Sequence, residues 1–210
     1  FADSAHCPYG AKPVEEIRRI SAAIVRFLLQ HDCKLIVVAC NTASAAALEI
    51  LRAEFDVPIV GMEPAIKPAA QATRTGHVGV LATAGTLQGH LFQDTARRHA
   101  NDVQVHLQIG EGLVEQVEAG QLDTQATETL LRRYLHPMLD ANVDQIALGC
   151  THYPLLMPLI ESITRGRASV IDPARAVVRQ VQRTLQRRRL ETPPAGQASF
   201  EDFLKIDVRV

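Results

Sequence analysis

Cys40 and Cys150 stand in matching settings: each closes a short apolar run, and each has a threonine within two residues (Leu35-Ile36-Val37-Val38-Ala39-Cys40-Asn41-Thr42 and Ile146-Ala147-Leu148-Gly149-Cys150-Thr151-His152). A cysteine acts as a base or nucleophile through its thiolate, and at an ordinary pKa of about 8.5 only a few per cent is ionised at neutral pH. In open α/β sheets ligands sit at the carboxyl ends of the strands. A helix starting there supplies unpaired N–H groups and about half a positive charge, which favours the thiolate. His152 can accept or relay a proton, and Asn41, Thr42 and Thr151 can hold a carboxylate beside the thiols. A cysteine after an apolar strand is by itself more often a small buried hydrophobe. Two in matching places weigh towards chemistry. Cys7 and Cys33 lack the strand-end setting and read as structural. His6 beside Cys7 and His152 beside Cys150 do not make a paired ligand spacing, so no metal is expected.

The elements that must position these thiols form a repeated pattern. Val14, Ile17, Ile20, Ile24, Phe27 and Leu28 recur at helical spacing after Pro13, which suits a first helical turn. Residues 35–39 then read as a strand buried on both faces of a parallel sheet, the alanine-rich run to about Phe55 as a helix, and residues 57–60 as a strand leading to Glu63-Pro64-Ala65. The order returns with a helix from Thr124 to about Asp140, a strand at 146–148, a helix after Pro154 and a strand at 168–171 running into Asp172-Pro173-Ala174. From cysteine to the acid-Pro-Ala triplet is 63 − 40 = 23 positions in one copy and 172 − 150 = 22 in the other.

Two pseudo-symmetric α/β lobes follow, each a mainly parallel sheet flanked by helices. The expected division is residues 1–62 plus 175–210 against 63–174. Further strands are expected at 77–82 and 103–109, and a helix from 176 to 190. Pro193-Pro194-Ala195-Gly196 reads as a linker. Glu63 and Asp172 read equally as acids near the cleft or as helix starters. Tyr153-Pro154 reads as a turn. Glu111, Glu115 and Glu118 read as a solvent face without a role.

Composition narrows the class. The chain has 210 residues, 47% hydrophobic and 21% charged, the balance of a globular protein that needs no disulfide or metal staple. Lys plus Arg number 22 against 23 acidic residues, a balance that gives no field suited to nucleic acid or an anionic membrane. Arg187-Arg188-Arg189 reads as a complement to a helix C-terminus. No apolar stretch approaches the ~20 residues of a bilayer span, and a cytoplasmic protein is the default expectation. Four scattered cysteines make no disulfide framework.

Several segments resemble the glutamate racemases, within the wider aspartate/glutamate racemase group. They are Asp3-Ser4-Ala5-His6-Cys7-Pro8-Tyr9-Gly10, Val38-Ala39-Cys40-Asn41-Thr42-Ala43-Ser44, Val57-Pro58-Ile59-Val60-Gly61, Leu81-Ala82-Thr83-Ala84-Gly85-Thr86, the run 113–120, and Leu148-Gly149-Cys150-Thr151-His152-Tyr153-Pro154. The resemblance implies a cofactor-independent two-base racemase acting on glutamate, with its active site in the cleft between the lobes. Cys40 and Cys150 would be the acid/base pair on opposite faces of the α-carbon. Tyr9, Gly10, Asn41, Thr42, Thr83, Thr86, Thr151 and His152 would contact substrate. It also implies a role in supplying D-glutamate for peptidoglycan, and it accommodates a homodimer.

The chain departs from the family pattern at its start. An opening strand ending in Asp-Ser-Gly is absent from the given sequence, so its role is not carried over to Asp3. The resulting expectation is a poorly stabilised first lobe with weak activity or none. Two other readings remain: an aspartate or hydantoin racemase on the same scaffold, and a non-catalytic fragment of the fold.

Overall fold

A computed structural model describes residues 1–99 and 102–191; the expected linker at 193–196 lies outside them. In chain order the elements are α1 (Val14–Leu29), β1 (Ile36–Val37), α2 (Asn41–Glu54), β2 (Ile59–Val60), α3 (Ile66–Ala72), β3 (His77–Ala82), α4 (Ala84–Gln88), α5 (His90–His99), β4 (Gln104–Ile109), α6 (Leu113–Glu118), α7 (Gln125–Asp140), β5 (Gln145–Gly149), a 3-10 turn (Tyr153–Leu156), α8 (Met157–Thr164), β6 (Ser169–Ile171) and α9 (Ala174–Arg188). The fold is α/β, with two separate parallel sheets flanked by helices.

The first sheet pairs β1 with β2, and α1 and α2 pack on it. Ala22 and Val25 from α1 meet Ala47, Leu48 and Leu51 from α2 over Ile36 and Ile59. Each buried Leu or Ile there contributes roughly 2 kcal/mol of transfer free energy. A two-stranded sheet is marginal on its own, so this helix–helix packing carries much of the lobe. The expected strand at 35–39 is shorter than its apolar run, and it is not buried on both faces. Ile36 is 4% exposed but Val37 is 38% exposed, because among the described residues β1 has a strand partner on one side only.

The second sheet has the order β4-β3-β5-β6, all parallel. Its central strand β5 (Gln-Ile-Ala-Leu-Gly) is buried throughout, the pattern of a parallel strand covered on both faces. One face packs Leu81, Ile146 and Leu148 against Leu131, Leu135 and Ile160 of α7 and α8. The other packs Val78, Val80 and Ala147 against Ile66, Ala69 and Phe92 of α3 and α5. The lobes meet where α2 contacts α4 and α5, and α9 returns to β2. The helices α3, α4 and α5 were not marked in the sequence. They are short, and α5 carries one buried residue, Phe92, so they leave little apolar periodicity to read.

Candidate active site

β1 ends just before Cys40, whose extended backbone (φ −150°, ψ 124°) caps α2, with its Sγ accepting the Ala43 N–H at 3.4 Å. The expected helix-start setting is therefore present at Cys40. Its expected effect is outweighed: burial pushes the Cys40 pKa up, opposed by the Ala43 and Thr42 N–H groups and the Thr42 hydroxyl. A few partial charges do not repay the loss of hydration around a thiolate.

Cys150 follows β5 and is 8% exposed. The expectation of a helix directly after it is corrected. A turn and a 3-10 segment intervene before α8, since Pro154 and Pro158 break the regular N–H pattern. Burial pushes the Cys150 thiol up to about 12, opposed by backbone N–H groups of His152 and Tyr153 and reinforced by charge on Cys40. Because charge on Cys40 opposes charge on Cys150, the pair favours one thiolate and one thiol over two thiolates.

A chain of hydroxyls joins the two strand ends. Thr42 Oγ1 lies 2.8 Å from Thr83 Oγ1 and 3.3 Å from Thr86 Oγ1, and Thr83 and Thr86 lie 2.9 Å apart. Thr86 then donates to the carbonyl of Gly149, next to Cys150, at 3.3 Å. All three threonines are buried. The close approach needs glycine: the Gly85 N–H donates to the Gly10 carbonyl at 3.2 Å, and a Cβ on Gly85 would lie 2.9 Å from Thr42 Cγ2 and 3.1 Å from that carbonyl. Gly10 packs on the Thr83 side chain, with 3.1 Å between a Cβ placed there and Thr83 Cβ.

Asn41, first residue of α2, is 2% exposed, and among the described residues neither Oδ1 nor Nδ2 has a hydrogen-bond partner. Unpaired buried amides are rare and costly, at roughly 1–3 kcal/mol. Tyr9 donates to Asp3 Oδ2 at 2.5 Å, and Asp3 Oδ1 meets His6 Nδ1 at 2.7 Å. Burial raises the Tyr9 pKa, reinforced by the Asp3 carboxylate and to a smaller extent by charge on Cys40 and Cys7. Thr151 sits partly buried on the turn after Cys150.

His152 makes the contact its position promised, with Nδ1 3.8 Å from Cys150 Sγ. Its other nitrogen, Nε2, lies 2.5 Å from Glu118 Oε1. A carboxylate there accepts a hydrogen bond from the Nε2–H, leaving the Nδ1 lone pair towards the thiol. Glu118, read as solvent face, is thus a functional candidate that the sequence reading missed. Cys7, read as structural, lies beside it, 3.5 Å from Glu118 Oε1 and 4.0 Å from His152 Nε2. The one available signal was the position of Glu118 at the end of the short helix after β4, on the same sheet edge as Cys150.

Glu63 accepts the Thr95 hydroxyl at 2.5 Å, and Asp172 accepts the Ala174 N–H at 2.9 Å, a helix-starting role for α9. Tyr153 is more than a turn residue: it is fully buried and donates to the Gly110 carbonyl at 3.1 Å. A surface cavity of about 670 Å³ lies elsewhere, between α2–β2 and α9, lined by residues such as Arg52, Phe55, Gln180 and Arg187. No residue expected at the site lines it.

Comparison with known proteins now bears on this geometry. The family model described as Asp/Glu/Hydantoin racemase matches residues 1–181. A glutamate racemase of Roseiflexus sp. (strain RS-1) is 51% identical over 191 residues, 90% of this chain and 70% of that protein. One from Herpetosiphon aurantiacus is 47% identical over 201 residues, 96% of this chain and 79% of its own. Among solved structures, Escherichia coli glutamate racemase with L-glutamate and an activator, UDP-MurNAc-Ala, superposes with a TM-score of 0.80 at 36% identity, covering 94% of this chain and 74% of that one. A Bacillus anthracis glutamate racemase superposes at 0.78 with 32% identity, covering 89% and 71%.

Proposed function

This chain belongs to the Asp/Glu/hydantoin racemase family, and from that premise we propose that it is a glutamate racemase whose two acid/base groups are Cys40 and Cys150. Relatives at about half identity carry that activity in their names, which favours glutamate over aspartate or a hydantoin. The observation that carries the site assignment is the hydroxyl chain from Thr42 to the Gly149 carbonyl, which ties the two cysteine-bearing strand ends together.

The mechanism follows from the protonation pattern. One cysteine acts as thiolate and removes the α-proton; the electron pair left on carbon delocalises into the adjacent carboxylate. The other cysteine, as thiol, delivers its proton to the opposite face and becomes the thiolate. The product is the mirror-image amino acid, and the two sulfurs have exchanged protonation states. Burial disfavours both thiolates, and the ammonium of the amino acid supplies the charge that makes the first thiolate. At Cys150, His152 offers a second place for the proton through Nδ1, with Glu118 steadying the imidazolium. Asn41 has unpaired donor and acceptor atoms suited to the substrate's carboxylate and ammonium. Thr42, Thr83, Thr86, Thr151, Tyr9 and Gly10 shape the remainder of the pocket.

No cofactor enters this scheme. The same reading places the enzyme in the cytoplasm, supplying D-glutamate for peptidoglycan and working as a homodimer. Assaying L-glutamate, L-aspartate and a hydantoin side by side tests the substrate. Glutamate should be turned over with kcat/KM at least about 100-fold above the others, a margin of roughly 2.7 kcal/mol in transition-state binding; a preference for aspartate would overturn the assignment.

A further inference from the structure

Cys7, Glu118 and His152 come from three separate parts of the chain: the opening loop, the end of α6 and the turn after β5. Their Sγ, carboxylate oxygen and Nε2 all lie within 4.8 Å of one another. We propose that these three side chains form a binding site for a thiophilic divalent cation of the Zn²⁺ class.

The donor set selects the metal. A sulfur and an imidazole favour Zn²⁺ or Co²⁺ over Mg²⁺ and Ca²⁺, which take oxygen ligands. Zinc bonds of about 2.0–2.3 Å in a tetrahedron place ligand atoms roughly 3.3–3.6 Å apart. The Cys7–Glu118 separation of 3.5 Å already fits, and the Cys7–His152 separation of 4.0 Å is slightly wide. The His152–Glu118 separation of 2.5 Å is that of two groups sharing a proton, and it opens when a metal takes the proton's place. The side chains of Glu118 and His152 are 50% and 24% exposed, so sub-ångström adjustments meet little packing resistance. Three protein ligands leave a fourth position for water or a small anion.

A titration tests the site. Titrating the full chain, stripped with chelator, with Co²⁺ should produce a thiolate-to-cobalt charge-transfer band at about one equivalent. Cys7→Ala should lose that band, and a hundredfold excess of Mg²⁺ should not compete. A band that persists in Cys7→Ala, or no band in the parent protein, would overturn the site whatever the enzyme's activity.

Discussion

The hydroxyl of Thr42, two residues past Cys40, sits 2.8 Å from the hydroxyl of Thr83, which caps the short helix after β3 in the other sheet. Through Thr86 the contact continues to the carbonyl before Cys150. The two cysteine-bearing strand ends are thus joined through short, β-branched, buried side chains with little rotamer freedom.

Thr86→Val tests that link. The replacement keeps the shape, removes the hydroxyl, and leaves the Gly149 carbonyl and the Thr83 hydroxyl each short of a partner. A loss of about 1–3 kcal/mol is expected, read from denaturation midpoints, together with a fall in kcat larger than any change in KM. Unchanged stability and kcat would show that the hydroxyl chain does not set the geometry.

Asn41→Ala should separate stability from function. Among the described residues the buried amide has no hydrogen-bond partner, so its removal should leave the fold as stable or more stable by up to about 1 kcal/mol. Meanwhile KM for glutamate should rise about tenfold or more. A lower melting temperature with unaltered KM would make Asn41 structural.

Alkaline pH should destabilise the protein through Cys150. Its thiol is raised from 9.0 to about 12 by burial, with charge on Cys40 and Cys7 acting the same way. The unfolded chain therefore loses this proton first. The stabilisation is complete below pH 9 and is lost as pH climbs through about 12. In chelator-treated protein, denaturation midpoints should fall over that window, and Cys150→Ser should flatten the fall. Cys40, Cys7 and Tyr153 are raised as well, so the variant should reduce the slope without abolishing it. An identical slope in the variant would contradict the burial argument.

His152→Gln should lower kcat/KM for both enantiomers alike, because mirror-image amino acids equilibrate at a ratio of one. Glutamine retains a hydrogen-bonding group beside Cys150 but cannot take its proton. Loss of general acid–base help is worth about 10²–10⁴-fold, and the pH dependence of kcat/KM should change with it. A loss with an unchanged pH profile would make His152 a positioning residue.

Much of this architecture could be read in the residues. Ile146 to Gly149 announces a buried strand because a parallel strand has both faces to cover, whereas the apolar run before Cys40 overstated β1, whose Val37 is exposed; the second acid-Pro-Ala triplet marks where α9 begins. The hydroxyl set Thr42, Thr83 and Thr86 was named through family resemblance, while its bonding needed three dimensions. Glu118 was illegible for a physical reason: on its own helix it looks solvated, and only the turn after β5, 34 positions later, brings His152 to it. Cys7 was illegible likewise, because its partners lie 111 and 145 residues away. The thiol pKa values inverted the local expectation, since a helix start can be seen in a sequence but the depth of burial around it cannot.

Solvent isotope exchange during racemisation tests the central claim most directly. L-glutamate is incubated in heavy water and the α-hydrogen of substrate and product is followed at early conversion by NMR or mass spectrometry. With a separate sulfur on each face, the D-glutamate formed should carry deuterium while recovered L-glutamate keeps its protium, and Cys40→Ser and Cys150→Ser should each cut conversion by at least about 10²-fold. D-glutamate that retains the original hydrogen, or full turnover in either serine variant, would contradict a reaction shared between Cys40 and Cys150.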